Sequence, residues 1–137
     1  MNDKPLAYAL LRTGIGVNMV IHGMVRIPKL GAFSDWMVGQ FGKTMLPAPL
    51  VKSFASALPF AEAAIGLLLI LGLFTRHALI AAGLMIIALT FGSCLIENWE
   101  AAAFQLIYLI VFTALLALRE AGNSISTDQF LSRKTKS

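Results

Sequence analysis

Long apolar runs alternate with short polar breaks along the chain, and four of the runs are long enough to cross a membrane. A spanning helix needs about 20 mainly apolar residues to cover roughly 30 Å of hydrocarbon. The runs predict helices over about residues 6–26, 58–75, 77–96 and 101–118. The last two contain no Lys, Arg, Asp or Glu. The pattern therefore predicts an all-α membrane protein whose residues 1–118 form a four-transmembrane-helix bundle.

Two segments outside these runs have a different character. The connection between the first two predicted helices is about 30 residues long, too polar to span and too apolar for a simple loop. Its Phe33, Trp36, Met37 and Phe41 recur near helical spacing, which predicts a partly helical interfacial segment, with an ordinary loop as the alternative. Residues 119–137 form a polar C-terminal tail that we expect to be solvated and partly disordered.

Composition agrees with a membrane protein and excludes several other classes. Of the 137 residues, 58% are hydrophobic and 13% are charged, whereas soluble domains are about 25% charged. The cations are scattered, so the net charge of +4 indicates no nucleic-acid partner. A single cysteine, Cys94, excludes an internal disulfide and a Cys-rich metal site. His22 and His77 are expected near opposite membrane faces, so we expect no haem or other metal.

The distribution of cations predicts the orientation in the membrane. Four spans place both termini on one side. That side would carry seven cations, namely Lys4, Arg12, Arg76, Arg119, Arg133, Lys134 and Lys136. The other side would carry Arg26, Lys29, Lys43 and Lys52. The positive-inside rule therefore favours cytoplasmic termini.

Counting residues inward from the membrane boundaries places several polar side chains at similar depths. At 1.5 Å per residue, four of them fall roughly 8 to 9 Å below the outer boundary. These four are Asn18, Glu62, Thr90 and Gln105. His22 lies above that layer, and Arg26 and Glu97 lie at the surface. The count predicts a polar pocket that opens outward.

Glu62 is the most informative of these residues. If it lay outside the membrane, only about 13 residues or 20 Å would remain to span, which is too short. An intramembrane carboxylate costs about 2.5–3.5 kcal/mol on insertion scales, so it marks either a functional site or a structural pair.

The other candidates also allow two interpretations. His22 is either an interfacial hydrogen-bonding residue or a ligand-binding one. Asn18, Thr90 and Gln105 serve either ligand binding or helix packing. Arg12 either extends toward the inner boundary as a structural charge or pairs with Glu62. We interpret Cys94 as a packing residue.

Four stretches together resemble a known family. They are LLRTGIG (10–16), IHGMVRIPKL (21–30), LPFAEAAIGLLLILGLFTR (58–76) and FGSCLIENW (91–99). This ordered set resembles the DoxX family of small four-helix bacterial membrane proteins. The family's positions map onto Arg12, His22, Gly23, Glu62, Gly66 and Arg76, and Arg76 would be a second structural charge. The family is similar to a membrane subunit of thiosulfate:quinone oxidoreductase, and some members associate with proteins of sulfur metabolism or oxidative stress.

The resemblance and the pocket together lead to one main functional hypothesis. It is a quinone-associated redox subunit of the bacterial inner membrane, with Glu62 and His22 as the catalytic candidates. The candidates for ligand binding are Asn18, Arg26, Thr90, Gln105 and Glu97. The expected partners are the lipid bilayer, a soluble or membrane redox protein, and a second copy of the chain. The alternatives are a non-catalytic membrane anchor or assembly subunit and a small-solute transporter.

Overall fold

The computed structural model describes residues 3–135, which fold into helices without a strand in that range. The helices are α1 (Lys4–Arg26), α2 (Leu30–Phe41), α3 (Ala48–Leu71), α4 (Thr75–Leu95), α5 (Trp99–Ala117), α6 (Arg119–Gly122) and α7 (Thr127–Thr135). A short 3-10 turn, Ile27–Lys29, joins α1 to α2. We call the end of the bundle near Arg26 and Glu62 the pocket end and the opposite end, near Arg12 and Thr75, the tail end.

Three helices, α3, α4 and α5, are long and apolar enough to cross a membrane. This finding confirms the prediction of an all-α membrane protein. Helix α1 has 23 residues, which gives it a length of about 35 Å. Its Arg12, Asn18 and His22 make it less apolar than the other three. It nevertheless belongs to the same bundle, because it packs along the length of α3.

Glycines allow α1 and α3 to approach each other closely. A Cβ atom on Gly16 would lie 2.9 Å from the carbonyl oxygen of Gly66, and a Cβ atom on Gly23 would overlap the carbonyl oxygen of Pro59. Residue numbers rise along α1 as they fall along α3, so the two helices are antiparallel. The close contact fixes their register and brings Arg26 next to Glu62.

The apolar core occupies the half of the bundle nearer the tail end. Its largest fully buried side chains include Leu69 of α3, Leu79 of α4, and Phe112 and Leu115 of α5. Helices α4 and α5 pack directly against each other through this region. The pocket half is less completely filled, which leaves space for a cavity.

Helix α3 begins at Ala48, ten residues before the predicted start of the second membrane helix at residue 58. Pro47 precedes its first turn, and Pro59 lies inside the helix instead of starting it. The sequence pattern did not show this because Lys52 and Ser53 interrupt the apolar run. The additional turns bury Val51 and pack against α2.

The C-terminal region, predicted as a polar tail, contains α6 and α7 and is attached to the tail end of the bundle. The carboxylate of Asp128 accepts hydrogen bonds from the backbone N–H groups of Phe74 (2.7 Å) and Thr75 (2.8 Å). The hydroxyl of Thr127 donates to the carbonyl oxygen of Leu71 at 2.7 Å. These bonds join α7 to the turn between α3 and α4. Lys136, one of the cations counted in the tail, lies outside the described residues.

Candidate functional site

A cavity of about 590 Å³ lies at the pocket end, between α1, α2, α3, α4 and α5. Most of its wall is apolar and includes Leu58, Ile86, Leu89 and Phe104. Cavities that bind small molecules usually measure about 300–1,000 Å³ and have apolar walls with a few polar groups. The size and lining of this cavity are therefore those of a small-molecule site.

Arg26 and Glu62 form an ion pair on the cavity wall. Nη1 of Arg26 donates to both carboxylate oxygens of Glu62, at 2.8 and 2.7 Å. The Glu62 side chain is 8% exposed and that of Arg26 is 30% exposed. The guanidinium carbon of Arg26 also lies 4.9 Å from the centre of the Phe33 ring, within the range of a cation–π interaction. Arg26 thus connects α1 with both α3 and α2.

His22 and Asn18 lie one and two turns before Arg26 on α1 and also line the cavity. Nδ1 of His22 lies 2.9 Å from the backbone carbonyl oxygen of Asn18. A carbonyl only accepts, so Nδ1 carries the proton and Nε2 is the acceptor of the neutral ring. The hydroxyl of Tyr108 on α5 donates to Oδ1 of Asn18 at 3.3 Å. This bond connects α1 to α5 across the cavity.

Gln105 on α5 presents an amide with one unused polar atom. Its Nε2 donates to the hydroxyl oxygen of Ser93 on α4 at 3.0 Å. Its Oε1 is buried and has no hydrogen-bond partner within residues 3–135. A buried polar atom without a partner costs about 1–3 kcal/mol.

Helix α2 covers the cavity with aromatic and other apolar side chains. Phe33, Trp36, Met37 and Phe41 all line it, and the rings of Phe33 and Trp36 stack with their centres 6.1 Å apart. A Cβ atom on Gly92 of α4 would lie 3.0 Å from the Phe41 ring, so the end of α2 packs closely on α4. The segment predicted to lie at the interface is therefore also a wall of the site.

The structure brings together five of the predicted catalytic and ligand-binding residues. They are Asn18, His22, Arg26, Glu62 and Gln105.

Thr90 and Glu97 lie outside the cavity lining. The hydroxyl of Thr90 donates to the carbonyl oxygen of Ile86 in its own helix. Glu97 is exposed and follows the end of α4 with a φ of 57°. Depth alone had grouped these residues with the others, and depth does not determine the direction of a side chain.

The two predicted structural charges lie toward the tail end. The guanidinium of Arg12 donates to the side chain of Asn123 and to the carbonyl oxygen of Ile125. It therefore extends away from Glu62, which pairs with Arg26. Arg76 is exposed in the first turn of α4. Cys94 is exposed near the end of α4.

Two polar residues of the site, Ser93 and Tyr108, were not among the predicted site residues. Tyr108 follows Gln105 by three positions, so both lie on the same face of α5. This spacing was the sequence feature from which Tyr108 could have been predicted as a site residue. Ser93 lies on α4, and only the rotation of that helix shows that it meets Gln105.

The arrangement presents hydrogen-bond donors and acceptors to an otherwise apolar chamber. Arg26 carries guanidinium donors, and the Tyr108 hydroxyl, whose proton is donated to Asn18, can still accept. Glu62 and His22 add a carboxylate and an imidazole to the same wall. The cavity suits a mainly apolar ligand with a few polar atoms.

The DoxX family model matches residues 7–93 of the chain, which is more than half of its 137 residues. The match includes α1, α2, α3 and most of α4, and therefore the Arg26–Glu62 pair. Helix α5, which carries Gln105 and Tyr108, lies beyond it. No curated protein and no solved structure matches the chain.

Proposed function

The chain belongs to the DoxX family, and we propose that it is a quinone-associated redox subunit of the bacterial inner membrane. The cavity at the pocket end would hold the quinone headgroup. The observation that carries the proposal is an ion pair, Arg26 with Glu62, on the wall of an apolar chamber of about 590 Å³. Such a chamber inside a membrane bundle is accessible to lipid-soluble ligands.

The polar groups of the cavity fit the edge of a quinone ring. Carbonyl oxygens of a headgroup need donors, which the guanidinium of Arg26 carries. Its reduced hydroxyl groups need acceptors such as the Tyr108 hydroxyl oxygen, whose own proton is donated to Asn18. A bound quinone supplies two-electron, two-proton redox chemistry. The chain positions the ring between α2 and α5 and keeps water out with Phe33 and Trp36.

Proton exchange is the role proposed for Glu62 and His22. The Glu62 carboxylate would exchange a proton with a ligand that takes its place beside Arg26. Nε2 of neutral His22 can accept a proton while Nδ1–H stays bonded to the Asn18 carbonyl oxygen. The pair of groups could therefore accept or return protons within the cavity.

The proposal includes a redox partner protein and an orientation. Electrons would come from a soluble or membrane partner. We propose cytoplasmic termini, because Arg76 and Arg119 lie near the tail end while the cavity lies at the opposite end. The cavity would then open toward the outer face.

The test uses the two tryptophans of the chain. Trp36 lines the cavity and Trp99 does not. In a Trp99→Phe variant in lipid nanodiscs, a benzoquinone should quench Trp36 fluorescence in a saturable manner. The matched control is Trp36→Phe, in which Trp99 should show only weak, non-saturating quenching. Equal and non-saturating quenching in both variants would contradict quinone binding in this cavity.

A non-catalytic anchor or assembly subunit is a second candidate function. One observation favours it: Arg26 and Glu62 already satisfy each other and join α1 to α3, while Arg26 stacks on Phe33 of α2. A pair of this kind can serve packing alone. Substitution of Glu62 separates the two functions, as argued in the Discussion.

A further inference from the structure

A second concave surface lies beside the cavity, on the outside of the bundle. It is an open groove of about 510 Å³ between α1 and α5. Apolar and small residues line it: Ala7, Leu10, Leu11, Gly14 and Ile15 of α1, with Val111 of α5. Helices α1 and α5 meet at few positions, whereas α1 packs closely on α3 and α5 on α4. The groove follows this loosely packed seam.

Asn18 is exposed and lines both the cavity and the groove, so the two concave surfaces meet at this side chain. From Asn18 the groove runs toward the tail end as far as Ala7, a distance of about 17 Å at the rise of an α-helix. Its polarity changes along that path, from the amide of Asn18 to purely apolar side chains. The hydrogen bond from Tyr108 to Asn18 joins the two helices where the cavity meets the groove, and at 3.3 Å it is long for a bond between oxygens.

We propose that the groove holds the hydrocarbon tail of an amphiphilic ligand whose polar headgroup occupies the cavity, and that such ligands enter from the bilayer between α1 and α5. This inference rests on the proposed function, because it assigns the tail of the same ligand. The ligand class is a polar ring or headgroup with one flexible apolar chain. The graded lining of this path, polar at Asn18 and apolar beyond, matches that chemistry.

The groove gives the ligand tail room but little additional binding energy. Lipid tails are as apolar as the groove, so a ligand tail gains little from the hydrophobic effect on leaving the bilayer. A tail attached to a headgroup in the cavity must still leave through an opening. Aromatic side chains of α2 cover the cavity on one side, whereas the seam at Asn18 is open to the lipid. Blocking the seam should therefore exclude tailed ligands by steric overlap.

Gly14 makes this test possible without disturbing the bundle. A Cβ atom on Gly14 would meet no atom within 4 Å, so a larger side chain there projects into the groove and not into a packed neighbour. Gly14→Leu should fill the groove. Gly14→Ala adds only one carbon, and Ala64→Leu adds bulk at an exposed position of α3 that lines neither the groove nor the cavity.

The experiment compares two probes with the same headgroup in nanodiscs, with quenching of Trp36 in the Trp99→Phe background as the readout. Decylubiquinone carries a straight tail, and dimethoxy-methyl-benzoquinone has none. Gly14→Leu should weaken binding of decylubiquinone by about tenfold or more, because steric overlap of this size costs more than 1 kcal/mol. Binding of the tailless probe should change by less than about twofold, because Gly14 does not line the cavity. Ala64→Leu should change the binding of neither probe, and Gly14→Ala should weaken decylubiquinone binding only slightly.

The outcomes separate this inference from the proposed function. If the wild-type cavity binds the tailless probe but Gly14→Leu leaves decylubiquinone binding unchanged, the tail does not use this groove and the inference fails alone. Equal losses of both probes would likewise overturn it, since the substitution would then act on the cavity or the fold. If neither probe binds the wild-type protein, the proposed function fails and the inference falls with it.

Discussion

Glu62 lies where a charge is costly, and its partner decides which roles it can have. An intramembrane carboxylate without a counter-charge costs about 2.5–3.5 kcal/mol on insertion scales. Arg26 compensates this charge from the adjacent turn of α1, at 2.7 Å. Removing one member of a buried pair costs about 3–5 kcal/mol, and less where one side chain is partly exposed, as Arg26 is. Both a structural and a proton-exchanging role remain open to the pair.

Glu62→Gln distinguishes these two roles. Glutamine keeps the size of the side chain and can still accept a hydrogen bond from Arg26, but it cannot exchange a proton. In a redox subunit, quinone-linked electron transfer in membranes containing the assembled complex should fall by about 10²-fold or more, while insertion and assembly persist. In an anchor subunit, assembly or thermal stability in detergent should fall instead, and the surviving complex should transfer electrons normally.

Asp35→Asn is the matched control for that substitution. Asp35 also pairs with a cation at the pocket end, Lys52 at 3.2 Å, but both side chains are well exposed. Exposed pairs contribute about 0–1 kcal/mol, so Asp35→Asn should leave both electron transfer and assembly unchanged. Normal electron transfer together with normal assembly in Glu62→Gln would refute both roles for Glu62.

Residue counting along the sequence gives the level of a side chain along its helix but not its direction. Residue counting placed Glu62 inside the membrane, and its pairing was left open between Arg12, Arg26 and a ligand. The structure resolves this, because α1 and α3 are antiparallel and in close contact at Gly23. Thr90 was grouped with the site by depth, yet it bonds within its own helix. Direction depends on helix rotation, which is set by packing between helices distant in sequence.

The apolar runs in the sequence predict that the membrane helices exist. They do not predict where every helix ends or how the C-terminal helices pack on the bundle. The runs predicted α4 and α5 to within two residues at each end, because charged residues flank them. They missed the first turns of α3, where Lys52 and Ser53 face outward while Val51 is buried. They also missed α7, whose polar sequence gives no sign that Asp128 binds the start of α4.

Asp128 serves as the N-terminal cap of α4 from a distant part of the chain. Phe74, at the cap position, has no side-chain acceptor and adopts a φ of 48°. The Asp128 carboxylate satisfies two N–H groups there and interacts favourably with the helix dipole. Asp128→Ala should therefore lower the free energy of unfolding by about 0.5–2 kcal/mol. We expect a lower midpoint of thermal unfolding in detergent and faster trypsin cleavage after Arg119.

Glu120→Ala provides the comparison for the cap. It removes a carboxylate from the same region, but the Glu120 side chain is 92% exposed and lies 3.7 Å from Arg119. Such a surface substitution should change the free energy of unfolding by no more than about 0.5 kcal/mol. If the two substitutions lowered stability equally, loss of negative charge in the tail, and not loss of the cap, would explain the Asp128 result.

In the whole molecule, the two ends of the bundle differ in how completely they are packed. The tail end is packed and closed by α7, with Leu79 and Leu115 fully buried in its core. The pocket end contains the cavity beneath α2, whose Trp36 is exposed, as is typical of aromatic residues at a membrane interface. A ligand of this cavity therefore binds at the pocket end of the described bundle.

The orientation of the molecule can be measured directly from engineered cysteines. In a Cys94→Ser background, Lys43→Cys places a thiol in the exposed connection between α2 and α3 at the pocket end, and Ser132→Cys places one on exposed α7 at the tail end. Cytoplasmic termini follow if the positive-inside rule governs this chain. A membrane-impermeant maleimide should then label Lys43→Cys in intact cells and Ser132→Cys only after permeabilisation. Labelling is informative at both sites because neither side chain is buried. The reverse pattern would place the cavity on the cytoplasmic side, where a redox partner would have to be a cytoplasmic protein.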